Sequence, residues 1–165
     1  MNFKSTTNMY KNFLVILALP FLMCACTKTT NQCNTTGVPT AAELSVLKSN
    51  LAAKSITAIK NPAGFYYEII TQGTGAVPTA NSTVRVRYTG KLFNNSIFDT
   101  NTTYDGAKLK LSSLISGWQK GLKLINVGGE INLYIPPTLG YGCTAQSSIP
   151  ANSNLIFNIQ LLEVL

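Results

Sequence analysis

The chain has 165 residues, of which 13 are basic and 6 acidic, so its formal net charge at neutral pH is +7. Hydrophobic residues make up 45% of the chain and charged residues 12%, a composition that argues against disorder throughout and permits a packed core. Histidine is absent, which excludes imidazole-based triads, histidine-ligated zinc and imidazole acid–base catalysis. We therefore expect no metal, no cofactor and a chemistry without proton transfer by a tuned side chain.

The first 25 residues have the pattern of a secretory signal. Lys4 and Lys11 precede an unbroken apolar run from Phe13 to Met23. This run is too short to span a hydrocarbon core, which needs about 20 helical residues. A basic start, a short apolar stretch and small residues after it indicate a cleaved signal peptide over residues 1–25.

The end of this signal, L-M-C-A-C, resembles a lipobox, in which a cysteine after a small residue is acylated and becomes the new N-terminus. Cys26 follows Ala25 and fits this pattern better than Cys24, which follows the bulky Met23. We predict lipidation at Cys26, with Cys24 as the alternative site. The other interpretation is an ordinary signal peptide with incidental cysteines.

Residues 26–40 are polar and lack apolar periodicity, so they are predicted to form a flexible tether between the lipid and the folded domain. Thr27, rather than an aspartate, after the acylated position favours the outer membrane of a Gram-negative cell, with the domain facing the periplasm. This oxidising envelope permits a disulfide between the remaining cysteines, Cys33 and Cys143. The sequence does not show that these two cysteines meet, so their pairing stays open.

A helix is predicted after the tether. The sequence T-A-A-E at residues 40–43 has the form of a capping box, and leucines follow it at helical spacing, at Leu44, Leu47 and Leu51. We predict a helix over residues 41–53 within a connecting segment 41–63. Its apolar stripe packs on the domain or pairs with a second copy of the chain.

A two-residue period dominates the rest of the chain. Residues 65–70 form a predicted strand and residues 72–82 a loop rich in Gly, Thr, Pro and Asn. Apolar residues then alternate with polar ones in four segments: Val84, Val86 and Tyr88; Leu109 and Leu111; Ile131, Leu133 and Ile135; Leu155, Phe157, Ile159 and Leu161. We predict an antiparallel sheet of at least four half-buried strands with one wet face.

Basic residues occur in alternating pairs on these strands, Arg85 with Arg87 and Lys108 with Lys110. Alternation places each pair on one face of a strand. We interpret this face as solvated rather than as a nucleic-acid footprint, and we expect no nucleic-acid partner.

One short helix interrupts the strands. The sequence S-G-W-Q at residues 116–119 has the form of a second capping box, and Asn126–Gly129 has the composition of a helix end. Apolar residues are spaced by three and four at Ile115, Trp118, Leu122 and Ile125. The predicted fold class is α+β: a curved antiparallel β-sheet wrapped around one short amphipathic helix, with an N-terminal helix and a lipidated tether.

Five sequence pieces in the second half of the chain resemble an FKBP-type peptidyl-prolyl cis–trans isomerase, one of the macrolide-binding immunophilins. In family order they are V-R-V-R-Y-T-G-K-L, I-F-D-T, L-I-S-G-W-Q-K-G-L, Y-I-P-P-T-L-G-Y-G and I-P-A-N-S-N-L-I-F-N-I-Q-L-L. They lie between Val84 and Leu162, and Phe65–Gly75 is similar to the leading strand of the family. The resemblance implies an isomerase domain over residues 64–165.

The resemblance also implies a proline pocket. The positions that match its lining are Tyr88, Phe98, Asp99, Leu114, Ile115, Trp118, Tyr141, Ile149 and Phe157. Trp118 forms the floor of the pocket in this interpretation, between aromatic walls. The backbone N–H of Ile115 and the hydroxyl of Tyr141 bind substrate carbonyls, and Asp99 orients Tyr88.

The chain departs from the family pattern at the rim of this pocket. Ala107 stands where the family usually has a pocket-edge aromatic residue, and Leu139 stands where a tyrosine is frequent. The loop 143–148 lacks the usual Gly, Pro and His character. We therefore expect altered substrate preference and weaker binding of macrolides than in typical relatives.

The resemblance implies an enzyme that speeds Xaa-Pro rotation in envelope proteins. Its partners are proline-containing segments of unfolded or partly folded proteins, and the lipid anchor attaches it to the membrane. The main alternative is a membrane-anchored chaperone module that binds proline peptides in the same groove without catalysis. A structural or adhesive lipoprotein is a third interpretation, which leaves the pocket residues without a use.

Overall fold

The structure is a computed structural model and describes residue 34 and residues 36–165. The predicted signal peptide, Cys24, Cys26 and Cys33 lie outside the described residues. Short 3₁₀ helices at Leu111–Ser113, Leu122–Leu124 and Pro137–Leu139 join the main elements. In chain order these are α1 Ala41–Ala53, β1 Ile59–Asn61, β2 Phe65–Thr71, β3 Thr83–Leu92, β4 Ile97–Asn101, β5 Ala107–Lys110, α2 Ser116–Gly121, β6 Glu130–Ile135 and β7 Leu155–Val164.

The seven strands form one curved antiparallel sheet in the order β1-β2-β6-β7-β3-β4, and β5 pairs with the first half of β3. The core lies between the inner face of this sheet and α2. Its sheet-side residues are those for which the two-residue period predicted burial, among them Val84, Val86, Ile131, Leu133, Ile159 and Leu161. The predicted α+β fold, with its antiparallel sheet and short helix, is confirmed.

Helix α1 lies where the sequence predicted it and covers part of the outer face of the sheet. Leu47 and Leu51 pack there against Tyr134 of β6, and all three side chains are buried. Burial of Tyr134 contradicts the prediction of one wet face, because the apolar stripe of α1 shields this part of the sheet from water. Of the two interpretations of that stripe, packing on the domain is confirmed.

The predicted capping box of α1 is present. The Glu43 backbone N–H donates to the Thr40 hydroxyl at 3.2 Å, and the Thr40 N–H donates to the Glu43 carboxylate at 2.8 Å. These bonds satisfy two of the N–H groups that the first turn of a helix leaves unpaired. The chain therefore enters α1 in a fixed direction.

The predicted second capping box is wrong. Ile115 is the N-cap of α2, so Ser116 is already the first helical residue and its side chain caps nothing. The Gln119 side chain turns back toward the preceding segment and donates to the Leu114 carbonyl at 2.7 Å. The α-helix also ends earlier than predicted, at Gly121, where it continues as a 3₁₀ helix.

The last residues of the predicted tether, up to residue 40, pack on the domain. The Asn34 side chain donates to the Val38 carbonyl at 2.6 Å, and Pro39 is buried. Pro39 packs so closely on Gly64 that a Cβ there would lie 2.8 Å from its ring. The folded part of the chain therefore begins before α1.

Two further features bear on the predicted cellular location. Cys143 is disulfide-bonded. Cys33, which the sequence analysis considered as its partner, lies outside the described residues. No helix within residue 34 and residues 36–165 is long and apolar enough to cross a membrane.

Candidate active site

A cavity of about 250 Å³ opens beside the N-terminal end of α2. It is lined by Tyr88, Asp99, Leu109, Ser113, Leu114, Ile115, Trp118, Tyr141 and Phe157. Seven of these nine residues were singled out from the sequence. Leu109 and Ser113 were not, because nothing in their residue types distinguishes them from ordinary strand and turn positions.

Helix α2 carries Trp118 into this cavity because the helix lies very close to β6. A Cβ on Gly117 would lie 2.5 Å from the Ile135 side chain, and a Cβ on Gly121 would lie 2.5 Å from the Leu133 side chain. Only glycine permits so close an approach. The bulky Trp118 between them is 4% exposed and forms the floor of the cavity.

Four further aromatic side chains are connected to this floor, directly or through one another, by edge-to-face contacts. The Trp118 ring lies 5.2 Å from both Tyr88 and Phe157, at interplanar angles of 84° and 88°. Phe98 contacts Phe157 at 5.4 Å and Tyr141 at 6.4 Å, again nearly perpendicular. Such pairs contribute about 0.5–1.5 kcal/mol each beyond the burial of area. The walls of the cavity therefore support one another.

Gly90 of β3 makes this arrangement possible, and sequence analysis did not select it. A Cβ at Gly90 would lie 2.6 Å from the Phe98 ring and 2.8 Å from the Phe157 ring. The available signal was a glycine inside a strand pattern, which often marks a close approach. We infer that Gly90 is a structural requirement of the pocket.

Three predicted site residues do not line the cavity. Phe98 stands behind Phe157 and supports it. Ile149 is buried in the core and pairs with Gln146 across the loop that follows Tyr141. Ala107 pairs with Val86 at the start of β5, whereas Leu109, two residues farther along the same strand face, lines the cavity instead.

A hydrogen bond joins two polar groups of the cavity. The Tyr88 hydroxyl donates to the Asp99 carboxylate at 2.8 Å. Burial, together with the hydrogen bond and charge of Asp99, raises the pKa of Tyr88 to about 12. Burial and the charge of Asp99 also raise the pKa of Tyr141. Both hydroxyls therefore remain protonated, and neutral donors, at any physiological pH.

Several donors in the cavity are free to bind a ligand. Among the described residues, neither the Tyr141 hydroxyl nor the backbone N–H of Ile115 donates a hydrogen bond to another group. The indole N–H of Trp118 is buried and also has no partner in this part of the chain. Unpaired buried donors are unfavourable, so a ligand that supplies carbonyl oxygens would be stabilised here.

The residues that line the cavity include few charged or metal-binding groups. No group of three or more histidine, cysteine, aspartate or glutamate side chains could hold a metal ion in the described part of the chain. Asp99 is the one carboxylate among the nine lining residues. The arrangement suits the binding of an apolar group flanked by carbonyls.

Comparison with known proteins identifies the family. The family described as FKBP-type peptidyl-prolyl cis-trans isomerase matches residues 75–162, more than half of the chain. The chain belongs to this family. The match includes strands β3 to β6, most of β7, helix α2 and all nine residues that line the cavity, whereas α1, β1 and β2 lie outside it.

Individual relatives agree with this assignment. The FKBP-type isomerase FkpA of Buchnera aphidicola subsp. Schizaphis graminum is 45% identical over 109 residues, which cover 64% of this chain and 42% of that protein. The crystal structure of FkpA from Escherichia coli matches with a TM-score of 0.68 and 34% identity, over 75% of this chain and 60% of that chain. A peptidyl-prolyl isomerase from Pseudomonas syringae pv. tomato matches with a TM-score of 0.66 and 32% identity, over 77% and 96%.

This chain spans less than half the length of the FkpA protein of Buchnera aphidicola that it matches. Family membership and fold are therefore established, whereas the activity, the substrates and the partners of this protein are matters for proposal.

The Tyr88–Asp99 hydrogen bond generates a titration prediction. In Asp99→Asn the pKa of Tyr88 falls below about 12, because the carboxylate no longer stabilises the protonated hydroxyl, but burial keeps it above its ordinary value. The measurement is an alkaline NMR titration of tyrosine labelled at Cζ. Tyr134, whose pKa is also raised to about 12 through burial and Glu68, is the internal control and should not change.

The raised pKa of Tyr88 also determines how the stability of the protein changes with pH. The folded-state pKa of Tyr88 exceeds the ordinary value of 10.0, so its contribution to stability is fully present below pH 10 and is lost as pH rises toward 12. This loss should be smaller in Asp99→Asn. An unchanged Tyr88 titration in that variant would show that Asp99 does not govern the hydroxyl.

Proposed function

We propose that this protein is a peptidyl-prolyl cis–trans isomerase that accelerates rotation about Xaa-Pro bonds in proteins of the cell envelope. The observation that carries the proposal is the aromatic cavity over Trp118, with two donors, the Ile115 N–H and the Tyr141 hydroxyl, that bond to no other described residue. Membership of the FKBP-type family supports the same activity.

The proposed mechanism relies on removing water from the prolyl bond. Rotation must cross about 18–20 kcal/mol because the twisted amide loses its resonance. The twisted amide is also less dipolar than the planar one. Its free energy relative to the planar form is therefore lower in an apolar cavity than in water. A proline ring seated on Trp118, between Tyr88 and Phe157, would place the bond in such surroundings.

The polar groups of the cavity would hold the peptide in the rotating geometry. The Ile115 N–H and the Tyr141 hydroxyl would donate to the carbonyls that flank the proline. Asp99 would fix the Tyr88 hydroxyl and so keep that ring against Trp118. Only contacts that strengthen as the bond twists accelerate the step, and none of them transfers a proton.

The proposed substrates are proline-containing segments of unfolded or partly folded proteins. The aromatic floor and walls of the cavity suit an apolar ring such as that of proline. We propose that macrolides bind weakly, because the family usually has a pocket-edge aromatic residue at a position where this chain has Ala107, which pairs with Val86 and does not line the cavity. Nucleic acid is not a proposed partner, because Arg85 pairs with Glu163 and Arg87 donates to loop carbonyls.

We propose further that lipidation at Cys26 anchors the domain to the periplasmic face of the outer membrane. Support comes from the basic start, the short apolar run and the small residue Ala25 before the cysteine. A disulfide at Cys143 is compatible with an oxidising compartment.

Activity should depend on the aromatic floor and walls. Trp118→Leu keeps apolar bulk but removes two edge-to-face contacts, and should lower kcat/KM on an Xaa-Pro peptide about tenfold or more. Phe98→Leu, which weakens the support of Phe157, should lower it about two- to tenfold. The measurement is a cis–trans exchange assay on variants shown to be folded.

The matched control for these variants is Phe65→Leu. Phe65 is fully buried in the same core but is not among the lining residues, so this change should reduce stability and leave kcat/KM unchanged. Full activity in both pocket variants would show that the pocket is assigned wrongly. A wild-type protein that suppresses aggregation without accelerating proline-limited refolding would instead be a non-catalytic chaperone.

The anchor is tested separately, on protein extracted from membranes. Mass spectrometry should show an acylated N-terminus at Cys26, and Cys26→Ala should release the protein from the membrane fraction. Acylation at Cys24, or a Cys26→Ala protein that stays membrane-bound, would overturn the assignment. Ala25→Leu, which enlarges the residue before the cysteine, should impair processing without altering the domain.

A further inference from the structure

Glu43 connects α1 to the segment that precedes the cavity residue Tyr141. One oxygen of the Glu43 carboxylate, Oε1, accepts from the Thr138 hydroxyl at 2.6 Å and from the Thr138 backbone N–H at 3.1 Å. Glu43 lies outside the residues 75–162 that match the family, whereas Thr138 lies inside them. A residue of α1 thus contacts the part of the chain that matches the family, three residues before Tyr141.

The second oxygen of the same carboxylate holds α1. Oε2 accepts from the Thr40 N–H at 2.8 Å and more weakly from Asn34 at 3.4 Å. Burial opposes the charge, but the hydrogen bonds from Thr138, Thr40 and Asn34 outweigh it and hold the pKa of Glu43 below its usual value. Both oxygens are therefore engaged, one on each side of the junction.

Helix α1, which carries Glu43, is anchored to the sheet. Leu47 and Leu51, on the next turns of α1, are buried against Tyr134 of the sheet. These contacts fix on the domain the helix that carries Glu43. Hydrogen bonds to a charged acceptor are also stronger than those between neutral groups.

Thr138 is linked to Tyr141 through the backbone between them. Thr138 lies in the 3₁₀ turn Pro137–Leu139, and the Pro137 carbonyl accepts from the N–H groups of Gly140 and Gly142, both at 2.9 Å. These two glycines flank Tyr141 directly. The turn therefore holds the backbone on both sides of Tyr141.

We propose that Glu43 is a positioning residue of the site, which acts through Thr138 to hold Tyr141 in place for a substrate carbonyl. The inference rests on the proposed function, because it assigns the Tyr141 hydroxyl to substrate binding. It goes beyond that function, because it makes α1 part of the machinery of the site. Supporting groups of this kind fix the geometry of the residues that touch the ligand.

The experiment compares variants of the full chain by the Kd of a proline peptide, followed through Trp118 fluorescence, and by kcat/KM. Thr138→Val removes the hydroxyl while keeping the capping box of α1, and should raise Kd at least about threefold. Thr138→Ser keeps the hydroxyl and should bind as the wild type does. Thr40→Val weakens the cap of α1 and removes the hydrogen bond that the Thr40 hydroxyl donates to Glu43 Oε2 at 3.1 Å. It leaves both bonds to Thr138, so it should lower stability without changing Kd.

A double-variant cycle separates positioning from general stabilisation. If the link acts through the Tyr141 hydroxyl, Thr138→Val should have no further effect on Kd in a Tyr141→Phe background. Equal effects in both backgrounds, or a rise in Kd for Thr40→Val that follows its loss of stability, would overturn the inference. So would an unchanged Kd in Thr138→Val.

Failure of the proposed function gives a different result. A wild-type chain that binds the peptide without accelerating its isomerisation would refute catalysis alone, and the Kd values of the variants would still decide the role of Glu43. A wild-type chain that does not bind the peptide would refute both.

Discussion

The close approach of α2 to β6 is the constraint on which the site depends. Gly117 and Gly121 leave no room for a side chain between helix and strand, so the helix lies directly on Ile135 and Leu133. Trp118, between the two glycines in the sequence, is buried and packs against Tyr88 and Phe157. The aromatic walls are arranged around that ring. A helix farther from the sheet would weaken the contacts of Trp118 with Tyr88 and Phe157.

The proposed reaction is compatible with a chain that has no histidine. Bond rotation needs no nucleophile and no proton transfer, so an apolar floor and a few neutral donors are sufficient. The raised pKa values of Tyr88 and Tyr141 follow from burial and from Asp99, and they keep both hydroxyls in the donating form. Electrostatics here preserve hydrogen-bond donors rather than create an acid or a base.

The sequence predicted most of the fold because its periodicities are local. The strand faces and α1, with its cap at Thr40, follow from alternation, helical spacing and a capping box. The missed features depend on tertiary contacts. Burial of Tyr134 results from the packing of α1 on the sheet. The role of Gly90 results from the close approach of the Phe98 and Phe157 rings. The second capping box failed because α2 begins one residue earlier than the pattern requires, with Ile115 as its N-cap and Ser116 already in the helix.

The central claim is that the cavity accelerates rotation by desolvation, without a titrating group. The most direct test is kcat/KM on an uncharged proline peptide, measured from about pH 5.5 to 8.5 on protein shown to stay folded, since free carboxylates titrate near 4 and free tyrosines near 10. The account predicts a nearly flat profile over this range. A bell-shaped profile centred near neutrality would mean that a group in the site gains or loses a proton during catalysis, and would contradict the account.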